Sequence, residues 1–301
     1  MKLRVGTRRS KLALAQAREV AERLSAFGVT SELVPMATSG DEGRGSDDAP
    51  GGLKGLFVAE IVRALQDGRV DLAVHSAKDL PAEDPEGVIV AAVPERADPY
   101  DVLVTRAPGP LGPGAAIGTS SLRRQAQLIR ARPEVRVVPI RGNVDTRLAK
   151  LERGEVDGLV LAAAGLVRLG IAPPCATPMP LEEMVPAPGQ GALAVQARAE
   201  GDALETVRQL DHERSRLAFE AERALVARLG GGCSLPLGAY AEEREMGVRL
   251  LAVVIRPDGS DLVWSQAEAP TPQEVADEVA ATLLAGGADR ILRSASGEGA
   301  G

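Results

Sequence analysis

Four short stretches of this 301-residue chain hold the residue types that do chemistry. Gly230 to Gly238 reads GGGCSLPLG, in which three glycines ahead of Cys233 remove side chains that would bar close approach, and Pro236 with Gly238 fixes the exit of the turn. A thiol displayed this way is a strong nucleophile that can hold a group as a thioether or thioester. The same loop also reads as a small buried cysteine behind a helix C-cap, and the loop alone does not decide between the two. His75 to Pro81, HSAKDLP, sets an imidazole, an ammonium and a carboxylate within five residues just past a buried strand, as a catalytic loop would. Its plainer reading is a turn in which Asp79 caps the next segment and Lys78 is solvated. Gly118 to Arg124, GTSSLRR, offers helix N-terminal N–H groups, hydroxyls and two arginines to an anion, and is at the least a Ser/Thr N-cap. Arg141 to Arg147, RGNVDTR, places two arginines around a second helix start.

Elements that would position these residues follow from periodicity. Lys2 to Gly6 reads as a strand, Ser10 to Phe27 as an amphipathic helix stopped by Gly28, and Thr30 to Met36 as a second strand. Thr38 to Gly52 is polar and glycine-rich, the composition of a mobile lid. Leu56 to Gln66 is a helix, and Gly68 to Asp71 turns it into the strand Leu72 to His75. Alternation of strand and helix implies a mainly parallel sheet. The pattern then repeats: Ala116 to Ser121, AIGTSS, echoes RVGTRR at Arg4 to Arg9, and Gly154 to Asp157 leading into Gly158 to Ala162 echoes Gly68 to Asp71. Two echoes in one order predict two lobes of one topology with a cleft between them. Ligands of open α/β sheets bind at strand carboxyl ends, where Thr7 to Ser10, His75 to Asp79, Thr119 to Arg124 and Ala162 to Arg168 would all lie. The proline-rich stretches Glu95 to Pro99 and Thr177 to Pro188 read as hinges, and Ala192 to Arg198 as a strand returning to the first sheet. A helix at Ala203 to Leu210 follows, and a helix at Glu213 to Arg228, strands at Gly247 to Ile255 and Leu262 to Trp264, and a helix at Pro272 to Leu284 make up a small α+β third domain. Ser294 to Gly301 reads as a flexible tail. The expected division is 1–95 with 189–210, 96–188, and 211–301.

Composition narrows the class of partner. With 45% hydrophobic and 26% charged residues the chain reads as a soluble globular protein. Few aromatics and a net charge of −7 argue against stacked single-stranded nucleic acid and against anionic membranes, which select basic faces. Only five of the 35 basic residues are lysine, so 30 are arginine, the side chain that grips carboxylates bidentately. Nine of these arginines and Lys150 fall between Ala115 and Gly170 against five acids, a local +5 that suits a pocket for a small anion. The first residues carry no apolar signal core and no apolar run spans a membrane, which predicts a cytoplasmic protein with Cys175 and Cys233 reduced. No CxxC or His/Cys cluster supports a zinc site.

The motifs TRRSKLALAQA, ELVPMATSGD, GLKGLFVAEI, DLAVHSAKDLP, GTSSLRRQAQL, RGNVDTRLAKL, LAAAGLVRLG, PGQGALAVQ and GGCSLPLGAY together resemble the porphobilinogen deaminases of tetrapyrrole biosynthesis, in the family's order over most of residues 1–245. The resemblance implies a monomer with two lobes like those of periplasmic binding proteins and a third domain. It implies a dipyrromethane cofactor in thioether linkage to Cys233, on which four porphobilinogen molecules are joined with loss of ammonia. It also implies Asp79 as the catalytic group, with Lys78, Asp79, Ser120, Arg123, Arg124 and Gly142 at the cofactor. Arg8, Ser10, Thr119, Ser121, Arg141, Arg147 and Arg168 are implied at the substrate. The chain departs from the family at Ala59, where many members have lysine, and at Ala15, where tryptophan is common. A two-lobed anion-binding protein without chemistry, and a cysteine hydrolase pairing Cys233 with His75 or His212, are the competing readings, both distinguishable by intact mass.

Overall fold

The structure, a computed structural model, describes residues 1–36, 52–230 and 235–295, with the side chains of 52–57 left aside. The expected lid up to residue 51, Cys233 with Gly231 and Gly232, and the tail beyond Ala295 lie outside the described residues.

The chain opens with β1 (Lys2–Arg8), α1 (Lys11–Ser25), β2 (Thr30–Met36), α2 (Gly52–Gln66) and β3 (Leu72–Ser76), then a 3-10 turn at Ala77–Asp79 and β4 (Val88–Ala92). Beyond a crossing at 93–100 come β5 (Asp101–Thr105), β6 (Ala116–Gly118), α3 (Leu122–Ala131), β7 (Arg136–Val138), α4 (Val144–Glu152), β8 (Gly158–Ala162), α5 (Ala163–Arg168) and β9 (Ala176–Pro178). A second crossing at 179–192 returns to β10 (Leu193–Arg198) and α6 (Asp202–Arg208). The remainder is α7 (Glu213–Arg228), β11 (Leu237–Arg244), β12 (Gly247–Ile255), β13 (Leu262–Ala269), α8 (Pro272–Ala285) and α9 (Ala288–Ala295).

The duplication is borne out by topology. One sheet has the order β2-β1-β3-β10-β4 and the other β7-β6-β8-β5-β9, so β1 and β6, and likewise β3 and β8, occupy equivalent places. Four strands of each sheet run parallel, while β10 and β5 run against both of their neighbours. Each crossing therefore delivers one antiparallel strand into a sheet, β5 into lobe 2 and β10 into lobe 1. The echoed Gly-x-Val-Asp turns have a shared purpose. Asp71 accepts a hydrogen bond from the Arg4 backbone N–H at 2.8 Å and Asp157 from that of Ala116 at 2.9 Å, each fastening the start of the central strand beside it.

Both faces of the lobe 1 sheet are covered. Leu3, Val5, Leu72, Val74 and Val195 pack with α1 and α6, while Ala73, Val90 and Ala194 pack with α2. The third domain folds α7, α8 and α9 over a three-stranded antiparallel sheet. Several boundaries differ from expectation: α2 begins at Gly52 and not Leu56, β13 runs on to Ala269, and the second hinge and the tail start later. Thr177 and Pro178 belong to the edge strand β9, a place where proline costs no ladder bond, so the second hinge begins at Met179. Ser294 and Ala295 continue α9 because Ile291 and Leu292 bury against the third domain and hold the helix in place.

Candidate active site

The carboxyl ends of β1, β3 and β8 open onto one cleft between the lobes. A cavity of about 260 Å³ there is lined from lobe 1 by Arg8, Ser10, Lys78 and Asp79, and from lobe 2 by Arg124, Gly142, Arg147 and Arg168. Local rules place each side chain. Ser10, two residues past the end of β1, caps α1, its Oγ accepting from Ala13 N–H at 3.3 Å, and Arg8 stands at the strand tip. The 3-10 turn after β3 brings Lys78 and Asp79 to the cavity, and Lys78 Nζ donates to Gln190 Oε1 at 3.3 Å. Gly142 has φ +117, and its carbonyl accepts from Arg147 Nε at 2.8 Å.

The arginines differ in what already holds them. Asp101, fully buried, pairs with Arg123 Nη2 at 2.8 Å and Arg124 Nη2 at 2.7 Å and accepts from Gln190 Nε2 at 2.9 Å. Although burial alone would raise its pKa, the two guanidiniums hold the Asp101 carboxyl far below the usual carboxylate range. Arg124 also donates to Val160 O, so it is aimed at the cavity by a fixed frame. Arg168 Nε donates to Glu19 Oε2 at 2.9 Å and Nη2 to Gly191 O at 3.0 Å. Arg147 has no carboxylate in ion-pair range among the described residues. Burial lowers its pKa and the like charge of Arg124 lowers it further, a cost that an anion in the cavity would relieve.

A second cavity opens where the three domains meet, lined by Lys78, Ser121, Arg123, Gly189, Arg223 and Leu235 among others, and it shares Lys78 and Gly189 with the first. Leu235 lies two residues beyond Cys233 in the chain. Arg123 Nε is buried here without a hydrogen-bond partner, a donor in want of an acceptor. Thr119, Ser120 and Arg141 line neither cavity. Ser120 Oγ donates to Ile140 O at 2.8 Å and accepts from Ile140 N at 3.1 Å, and Thr119 Oγ1 accepts from Ser121 N–H, so both hydroxyls fasten the loops that carry the arginines. His75 is buried, and its pKa is driven down to about 4 by desolvation, partly opposed by Asp79. His212 caps α7, with Nδ1 accepting from Ser215 N–H.

Sequence reasoning missed four residues that build this site. Asp101 and Gln190 frame the arginines, and Glu19 pairs with Arg168. Fully buried Glu222 accepts from Arg96 in the first crossing, from Gly189 N–H in the second at 2.5 Å, and from Ala241 N–H of β11 at 2.8 Å. Gln190 sits within the motif PGQGALAVQ without its role being readable, and Asp101, Glu19 and Glu222 sit in no motif: each of the four meets a partner far along the sequence.

Two lobes of one topology closing on an arginine-lined cleft, with a third domain at its inner end, define a class of protein that clasps a small polyanion. The chain belongs to the porphobilinogen deaminase family. Its residues 3–206 match the family model described as "Porphobilinogen deaminase, dipyromethane cofactor binding domain", and residues 216–285 match that of the C-terminal domain. It is 47% identical over 299 residues to the porphobilinogen deaminase of Syntrophotalea carbinolica, covering 96% of this chain and 95% of the relative. It is 45% identical over 295 residues to that of Geobacillus kaustophilus, covering 96% of each. Among solved structures, a periplasmic substrate-binding protein of an ABC transporter from Coxiella burnetii aligns with TM-score 0.41 and 16% identity over 69% of this chain and 91% of the other. No helix among the described residues is long and apolar enough to cross a membrane.

Proposed function

We propose that this chain joins four porphobilinogen molecules head to tail with release of ammonia and frees the product, hydroxymethylbilane, by hydrolysis, as a cytoplasmic monomer whose dipyrromethane cofactor is a thioether of Cys233. The observation that carries this reading is the convergence of Asp79 with arginines from both lobes in one cleft that adjoins a cavity lined by Leu235 of the third domain.

The residues fit the cofactor. The unpartnered Arg123 Nε supplies a buried donor for a pyrrole carboxylate, and Lys78 reaches both cavities. When bound, the cofactor supplies a pyrrole α-carbon as the nucleophile for the first addition. Each porphobilinogen carries an acetate and a propionate, and Arg8, Arg124, Arg147 and Arg168 receive them, with Ser10 and Gly142 shaping the cavity wall between. Breaking the substrate's C–N bond releases ammonia and leaves a cation shared onto its pyrrole nitrogen. Asp79, facing the cleft, stabilises that positive charge and takes the proton lost from the attacking α-carbon as the ring regains aromaticity. Electrostatic stabilisation of this kind is typically worth ~10²–10³ in rate.

The test combines turnover with intact mass. Asp79→Asn keeps shape and loses charge, so it should carry the mass of two pyrrole units yet turn over at least about a hundredfold more slowly. Cys233→Ser should lose that mass and Cys175→Ser should keep it. A loaded Asp79→Asn enzyme within a few-fold of wild type, or wild type of bare polypeptide mass from cells able to make the cofactor, would overturn the proposal.

A further inference from the structure

We infer that Glu19 is a resident carboxylate that occupies Arg168 in place of a substrate carboxylate and surrenders it on binding, which makes Glu19 a specificity-determining residue of the cleft. The inference rests on the reading that Arg168 receives a pyrrole carboxylate. Glu19 lies on α1 of lobe 1 and Arg168 at the end of α5 of lobe 2, so their 2.9 Å pair joins the two lobes, with Arg168 on the cavity wall and Glu19 behind it. The Arg168 side chain is only 7% exposed while Glu19 is 26% exposed, so the acid is the partner with a route to water. Glu19 also has a second cation: its Oε1 accepts from Arg23 Nη2 at 3.0 Å, one turn along the same helix. Exchange of Arg168 from Glu19 to a ligand therefore strands no charge. Arg168 gains an equivalent acceptor, and Glu19 keeps Arg23. Arg168 Nη2 meanwhile stays on Gly191 O, which holds the guanidinium near its place throughout.

The chemistry of such an exchange sets a threshold. A ligand must displace a carboxylate already held at high effective concentration, so a single weak acid binds poorly there. A ligand anchored by its other carboxylates on Arg124 and Arg147 succeeds. Another ion pair between lobes, Lys11 Nζ to Asp145 Oδ2 at 2.7 Å, stands on the wall of the same cavity, where its lysine is 76% exposed and is screened by water. It joins the same two lobes without involving Arg168, so neutralising its acid, Asp145, releases the lobes and removes one negative charge just as Glu19→Gln does, and separates competition at one arginine from general loosening of the cleft.

The experiment is a comparison of KM and kcat for porphobilinogen in Glu19→Gln, Arg168→Gln, the double variant and Asp145→Asn, with affinity also titrated on an Asp79→Asn background where turnover is slow. Glu19→Gln should lower KM and the titrated dissociation constant about fivefold, the scale of a part-exposed ion pair, and Glu19→Asp should fall between. In the double variant the Glu19 change should have no effect beyond that of Arg168→Gln. An unchanged or raised dissociation constant in Glu19→Gln, with Arg168→Gln still impaired, would overturn the inference and leave the role of Arg168 intact. An equal gain in Asp145→Asn would also overturn it, assigning the effect to lobe release or to the loss of any acid from the cleft. If Arg168→Gln bound and turned over porphobilinogen as wild type, the reading of Arg168 would itself fail, and the inference with it.

Discussion

His75 shows how a single residue in a catalytic motif can serve the site by staying uncharged. Its ring is buried beneath the turn that presents Asp79, and desolvation, the largest influence, holds its pKa down to about 4, with Arg8 adding to the effect and Asp79 opposing it. A base whose folded pKa is depressed is protonated first in the unfolded chain. The stability it allows is therefore complete above its ordinary value near 6.5, falls as pH drops toward about 4, and levels off below that. Between pH 7 and pH 5 the loss should be about 2 kcal/mol, and His75→Asn should remove that part of the pH dependence. Urea unfolding at the two pH values measures the difference, and equal pH slopes in both proteins would show that His75 does not take up the proton. The sequence made His75, Lys78 and Asp79 visible because they are adjacent in the chain and follow a strand. Asp101 was not visible, since a lone aspartate opening a strand looks like any other until Arg123, Arg124 and Gln190 are folded around it.

At the scale of elements, the site depends on how closely two crossing segments approach the turn they support. Gly189 has φ +73, and a Cβ there would stand 2.9 Å from Ala77 C and Lys78 N; Gly191 has φ +87, and its Cβ would stand 2.4 Å from Ala97 O. The second crossing can thus lie against both the Lys78–Asp79 turn and the first crossing only because neither residue has a side chain. Gly189→Ala should push the turn back without unfolding the sheet, and a shift of order 1 Å at reacting groups can cost ~10²-fold, so kcat should fall about ten- to a hundredfold. Steady-state kinetics with a melting curve as control checks this, and wild-type kcat would show that the turn tolerates displacement. Strands and helices with strong periodicity were legible, Thr30–Met36, Glu213–Arg228 and Gly247–Ile255 to the residue. The partition of β1, β2, β3, β6, β8 and β10 between the two sheets was legible, whereas the reversed pairing of β5 was not, because a five-residue strand says nothing of the direction in which it will pair.

For the molecule as a whole, Glu222 is the point at which the three parts are joined, since its two oxygens accept from both crossings and from β11. Removing one partner of a buried ion pair costs about 3–5 kcal/mol, because the other is left uncompensated. Glu222→Gln should lose stability on that scale by orphaning Arg96, and calorimetry should resolve the third domain melting apart from the lobes. A single cooperative transition at the wild-type temperature would show that the junction is held by apolar packing instead. The place of β10 has a consequence for synthesis. It lies between β3 and β4, joined to each by hydrogen bonds, yet it is made after every strand of lobe 2. As the chain leaves the ribosome, the five strands of lobe 2, from Asp101 to Pro178, are all present while the lobe 1 sheet still has a gap between β3 and β4. The half of the molecule that begins first is finished second, and the floor beneath Asp79 is laid only when residues 193–198 emerge and close the gap beside His75.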